Sequence, residues 1–280
     1  MASENALYVI LMEKMKQDAL VLPTLPEVAI KVRQAADDPD INLGSISDII
    51  GQDPALALGM IKVANSALLG RSVKVETVSQ AVTRIGLRQI KGISTAMALE
   101  QVFVSSNDIV AMYMKKSWYK TIDIASVAIS LMSLYLKDNK HSPLTLEVIT
   151  LASLIHNIGA LPILTEAEQH PDVFANPTFI QQAINKLSAR IGGSITRAWG
   201  FSDELTEIAE SWSDLTVLPK EIHYLDFIRA GALCHSVFKN ESTQEVLLKN
   251  YVKKGLLPDI DFMKTDDFQA MCSEVKSMFT

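Results

Sequence analysis

Apolar residues recur at three- and four-residue spacing along almost the whole chain, and the period-two alternation of half-buried strands is absent. No Asn-Gly or Asp-Gly pair marks a hairpin turn. The pattern predicts an all-α protein. Pro26 is expected to open a helix over PEVAIKVRQAADD, and Ser45 to cap SISDIIGQ. Asp53 fits an N-cap with Pro54 in the first helical position, ahead of the apolar stripe of ALALGMIKVANS. Gly70 and Gly86 follow helical runs as C-terminal caps do. Further helices are predicted at about 87–103, 108–138, 145–164, 178–199, 203–212, 220–239, 243–254 and 265–279. Thr145 can cap the most apolar of them, LEVITLASLIHNIGALPIL, while LKDNKHSPL and TEAEQHPDVFANPT read as loops.

A mild boundary falls at VSSND, residues 104–108. It separates an N-terminal helical part, 1–104, from a second part, 105–240, with C-terminal helices at 241–280. Apolar content stays high across the join, so one compact unit is expected. A chain of 280 residues can bury a sizeable core without disulfides. Cys234 and Cys272, far apart and outside any C-x-x-C pair, read as free thiols of a reducing compartment. No stretch is expected to reach the roughly 18–20 apolar residues of a membrane span. The N-terminal twenty residues lack the basic region of a signal peptide, so a cytoplasmic location and no membrane partner are expected. A net charge of -6 argues against non-specific nucleic-acid binding.

Spacing alone supplies little chemistry. There is no Gly-rich phosphate loop, no G-x-S-x-G and no H-E-x-x-H. Of five histidines, only His156 lies in a dense apolar run. It reads either as a core histidine with one hydrogen-bond partner or as a ligand. Arg84, Arg88 and Lys91 form a basic segment that could grip a phosphate or an acidic partner, or simply be a solvated surface. Trp118, Trp199 and Trp212 read as core, or as a stacking surface for a purine.

Three segments in order, LPTLPEVAIKVRQAADDPD, QDPALALGMIKVANSALLG and VSQAVTRIGLRQIKGISTAMAL, resemble the successive signatures of the HDOD family, the HD-related output domain of bacteria. The specific pieces are Asp53-Pro54, then Asn65-Ser66 and Gly70, then the run from Ala81 to Gly86. The resemblance implies an HD-superfamily helical fold, like that of HD-GYP cyclic-dinucleotide phosphodiesterases, whose metal ligands many HDOD proteins lack. Position by position, it places the superfamily's leading histidine at Lys120 and its His-Asp dyad at His156 and Asn157. The later histidine falls at Ser188, the paired histidines at Ser211 and Trp212, and the closing aspartate at Gly231. An amide at 157 offers a divalent cation only a neutral oxygen, and a lysine at 120 opposes it. No metal or other cofactor is therefore expected, and no catalytic residue is assigned. The expected function is a signalling module that acts through an unknown protein partner. The alternatives are a metal-dependent phosphohydrolase of a nucleotide or cyclic dinucleotide, and a module that binds a nucleotide ligand without cleaving it.

Overall fold

The computed structural model describes residues 6–66, 69, 73–170 and 177–280; Gly70 lies outside them. All regular structure among the described residues is helical. The helices are α1 (Ala6–Lys16), α2 (Glu27–Ala36), α3 (Leu43–Gly51), α4 (Pro54–Ala64), α5 (Val78–Ile85), α6 (Leu87–Ala98) and α7 (Asp108–Asp138). They continue with α8 (Leu146–Ile155), α9 (Ala160–Glu168), α10 (Pro177–Ala198), α11 (Asp203–Ser211), α12 (Tyr224–Cys234), α13 (Glu241–Lys253) and α14 (Asp266–Ser277).

Cap chemistry sets most of the starts. The Asp53 carboxylate accepts the Leu56 N–H at 2.9 Å, with Pro54 next in line, as the sequence predicts. Thr145 Oγ1 accepts the Val148 N–H ahead of α8. Three expectations shift. Asn42, not Ser45, caps α3: its side chain accepts the Ser45 N–H, so the helix begins two residues before Ser45. Pro26 is itself the cap of α2 rather than its first helical residue. The stretch predicted as 220–239 is helical only from Tyr224 to Cys234. His223 caps its start, and the left-handed Ser236 follows its end.

The larger correction concerns 145–164, expected as one helix. It is two, α8 and α9, joined by a turn over 156–159. Ile158 N bonds to Ile155 O, Ala160 N to Asn157 O and Leu161 N to Ile158 O, all with three-residue spacing. The physical reason is Pro162. Inside a continuous helix it would lose a hydrogen bond and clash with the carbonyl four residues earlier. In the first turn of α9 neither penalty applies. Taken together, Leu146–Glu168 is long and apolar enough for a membrane span, with mean hydropathy 1.7, contrary to the expectation from the sequence. The break at 156–159 interrupts it, and 83% of that window is buried inside the protein.

Packing groups the chain into two compact units, each drawn from three stretches. Unit 1 takes Met1–Leu25, Glu100–Thr121 and Ile155–Val217. Within it, α10 packs on α9 and α11, and α1 packs on α9 and α10. Lys14 of α1 places its ammonium on both oxygens of the buried Glu166 of α9, at 2.7 and 2.8 Å. Unit 2 takes Pro26–Leu99, Ile122–Leu154 and Leu218–Thr280. There α2 packs on α6, α3 and α4 pack on α5, and α12 packs on α13. Helix α7 contributes residues to both units.

In unit 2, Asn65 closes α4 and pairs with the chain ten residues on. Its amide nitrogen donates to Val75 O and its amide oxygen accepts the Val75 N–H, both at 2.8 Å. Arg84 donates to Ala64 O and Val73 O, tying the same two segments together. Buried Ser66 donates to Val63 O. Asn65→Ala should lower stability by about 1–3 kcal/mol, because a side chain that pairs both backbone groups of Val75 is lost. Chemical denaturation followed by circular dichroism measures it; an unchanged midpoint would mean the pairing contributes nothing.

Candidate functional site

His156 and Asn157 sit in the turn between α8 and α9, and the His156 side chain is enclosed, at 2% exposure. Its ring meets the indole of Trp212 edge to face, with centroids 4.6 Å apart and planes at 85°. Trp212 caps the C-terminus of α11, directly after Ser211, and is buried. Gly159 makes the turn possible. A Cβ there would lie 1.9 Å from Ser188 O and 2.6 Å from Gly192 N, inside one turn of α10. Backbone-to-backbone contact therefore locks the turn against the segment that holds Ser188. At Gly192 an added Cβ would meet that of Ala209 at an ordinary 3.6 Å, so the approach of α11 does not itself require glycine there.

Of the seven positions implied by family resemblance, His156, Asn157, Ser188, Ser211 and Trp212 belong to this packed part of unit 1. Lys120 belongs to unit 1 as well but is exposed on α7. Its charge is screened by solvent, so repulsion from it is a smaller factor than the sequence suggests. Gly231 belongs to unit 2, where α12 passes α7 so closely that a Cβ at 231 would fall 2.5 Å from Ile124 O. No aspartate fits on that backbone.

The residues present do not fit a divalent cation. The one feature in its favour is Asn157 Oδ1, which is buried without a hydrogen-bond donor. Against it, Oδ1 is uncharged, the imidazole beside it is covered by an indole, and position 188 carries a hydroxyl. Stable divalent sites gather several anionic or imidazole donors on one point. Among the described residues no three His, Cys, Asp or Glu side chains converge in that way.

The basic segment is also built into the fold. Arg84 is spent on two carbonyls, and Lys91 pairs with Asp37. Arg88 is exposed. Glu147 lies within reach of both Arg88 and Lys91: burial pushes its carboxyl up, while the two cations pull it down. Trp118 packs on Phe103, with centroids 4.9 Å apart. Trp199 donates its indole N–H to Pro23 O. These two tryptophans are core and anchor. Cys272 is a free thiol that burial pushes up to about 11, and Cys234 is raised for the same reason.

This chain belongs to the HDOD domain family, which matches residues 22–214. Its fold is that of HD-type helical proteins. A protein from Shewanella amazonensis, carrying the provisional name metal-dependent phosphohydrolase, is 42% identical over the full length of both chains, with a TM-score of 0.95. An HDOD domain protein of unknown function from Geobacter sulfurreducens shares the fold at 16% identity and TM-score 0.64, covering 98% of this chain and 96% of its own. An uncharacterized protein of Treponema pallidum is 24% identical over 212 residues, 71% of this chain. The matched region spans 39% of that relative's length.

Sequence reasoning did not foresee the 156–159 turn, the demand for glycine at 159, or the seating of Trp212 on His156. Pro162 carried the signal for the first. Nothing local carries the other two, since both depend on where α10 and α11 pass.

Proposed function

We propose that this HDOD chain is a regulatory module of a bacterial signalling pathway, acting in the cytoplasm through protein contacts and without hydrolysing phosphate esters. The observation that carries this reading is the indole of Trp212 seated on His156, beside an amide where a metal-binding dyad needs a carboxylate. A polarised phosphoryl group and an activated water both require a cation that this donor set does not favour. The site then serves to pack α9, α10 and α11 together.

The name of the Shewanella protein supports a second reading, metal-dependent phosphohydrolysis. Elemental analysis and a phosphodiesterase assay separate the two. The purified chain should carry far less than one manganese, iron, zinc or magnesium per molecule and should not hydrolyse a cyclic dinucleotide. Asn157→Asp should not create activity, since positions 188 and 231 still lack ligands. Near-stoichiometric metal lost in His156→Ala, or metal-dependent turnover by either protein, would replace the regulatory reading with the enzymatic one.

A further inference from the structure

The first half of α7 carries a face that the core does not use. Val110, Met114 and Trp118 point inward and are buried. On the other side Ile109, Met112 and Tyr119 are 51%, 60% and 43% exposed. Lys115, Lys116 and Lys120 are exposed with them. At 3.6 residues per turn these six side chains project within an arc of about 140°. Lone exposed apolar residues are ordinary, but three on one face of one helix, set among three cations, are not. The Lys115 ammonium lies 5.8 Å from the centre of the Tyr119 ring, which places charge and apolar surface side by side. The patch holds three lysines against one exposed carboxylate, Asp108 at its N-terminal edge, so it is net positive on a chain that carries -6.

We propose that this α7 face docks an acidic amphipathic helix of a partner protein. The inference rests on the regulatory reading above and gives it a surface. Apolar residues of the partner would cover Ile109, Met112 and Tyr119, and its flanking carboxylates would meet Lys115 and Lys116. Charge complementarity selects this occupant over an extended polyanion. Screening confines the patch's attraction to about 8 Å at physiological salt. A single helix fits inside that range. A nucleic acid or an anionic membrane would also meet the acidic remainder of the surface and be repelled. The exposed stretch is about 17 Å long, at 1.5 Å per residue, so the contact is small, transient and sensitive to salt.

The test uses the full chain and a fluorescent synthetic peptide, helical, with leucine on one face and glutamate flanking it. Binding is followed by anisotropy at low and high salt. Vesicles of phosphatidylserine and an oligo-dT strand serve as the competing ligands. The peptide should bind, weaken with salt, and bind about ten-fold more weakly to K115E/K116E. Met112→Asp should weaken it as well. Both variants should melt like the parent, because the substituted side chains are exposed. Vesicles and oligo-dT should not bind. The docking face is overturned if the peptide does not bind, if it binds parent and variants equally, or if vesicles or oligo-dT are taken up through the same lysines. Such a failure without metal-dependent hydrolysis removes only this surface. Hydrolysis by the unaltered chain removes the regulatory reading itself.

Discussion

Gly159→Ala should be among the most damaging single-methyl changes in this protein. The new Cβ would lie 1.9 Å from Ser188 O and 2.8 Å from its carbonyl carbon, both backbone atoms inside α10. Backbone in the middle of a helix cannot swing aside as a side-chain tip can. Relief requires α10 to move away from the 156–159 turn, which opens the packing of α9 against α10. Overpacking of this kind costs about 1–3 kcal/mol where neighbours can adjust, and more where they cannot. We expect a loss of about 3 kcal/mol or more, with reduced yield of folded protein. Gly193→Ala is the control. The three atoms nearest its Cβ all belong to the Glu210 side chain, which can swing away as a whole while giving up its pairing with Arg197. Equal stabilities for the two variants, from denaturant midpoints, would show that α10 does not hold the turn as tightly as its geometry implies.

A comparable loss is expected in unit 2 on removing the Asp226 carboxylate. Asp226 is 1% exposed and lies in the first turn of α12. Its Oδ2 accepts the backbone N–H of His223 at 3.0 Å and the ammonium of Lys254 at 2.9 Å. One carboxylate thus caps α12 and fixes the end of α13. Asp226→Ala would leave a nearly enclosed ammonium without its counter-charge, which typically costs about 3–5 kcal/mol. Lys254→Met in the same background should recover part of that loss, because the uncompensated charge is then gone. A double variant no more stable than Asp226→Ala would assign the loss to the cap rather than to the ion pair.

The sequence was informative wherever structure is decided locally. Asp53 with Pro54, Thr145, and the apolar period of α7 each carry their own instructions. Asn42 and Ser45 are both good caps, so the local sequence does not rank them, and α3 starts from Asn42. The geometry of the candidate site was not legible in the sequence. The amide at 157 is plain in the sequence, where the family resemblance implies a carboxylate. That Trp212, over fifty positions later, covers His156 follows from the path of α10 and α11. That position 231 has no room for a side chain follows from the approach of α12 to α7. Neither is written in any short window. Arg84 illustrates the opposite hazard: a cation in a basic run reads as an anion site, yet its donors serve two carbonyls twenty or fewer residues away.

The interleaving of the two units has a consequence for synthesis. A ribosome releases the chain from the N-terminus, and domains generally fold as whole units when their residues are available. Unit 1 has all of its residues once Val217 has emerged, although its middle stretch is flanked on both sides by chain destined for unit 2. Unit 2 begins at Pro26 but must wait for Leu218–Thr280, and with it Asp226, Lys254 and α14. For that interval helices α2 to α6 have one another but lack the last stretch of their unit. A nascent chain arrested after Val217 should therefore be protected from protease in the segments of unit 1 and cut within Pro26–Leu99, the reverse of the order in which the two were made.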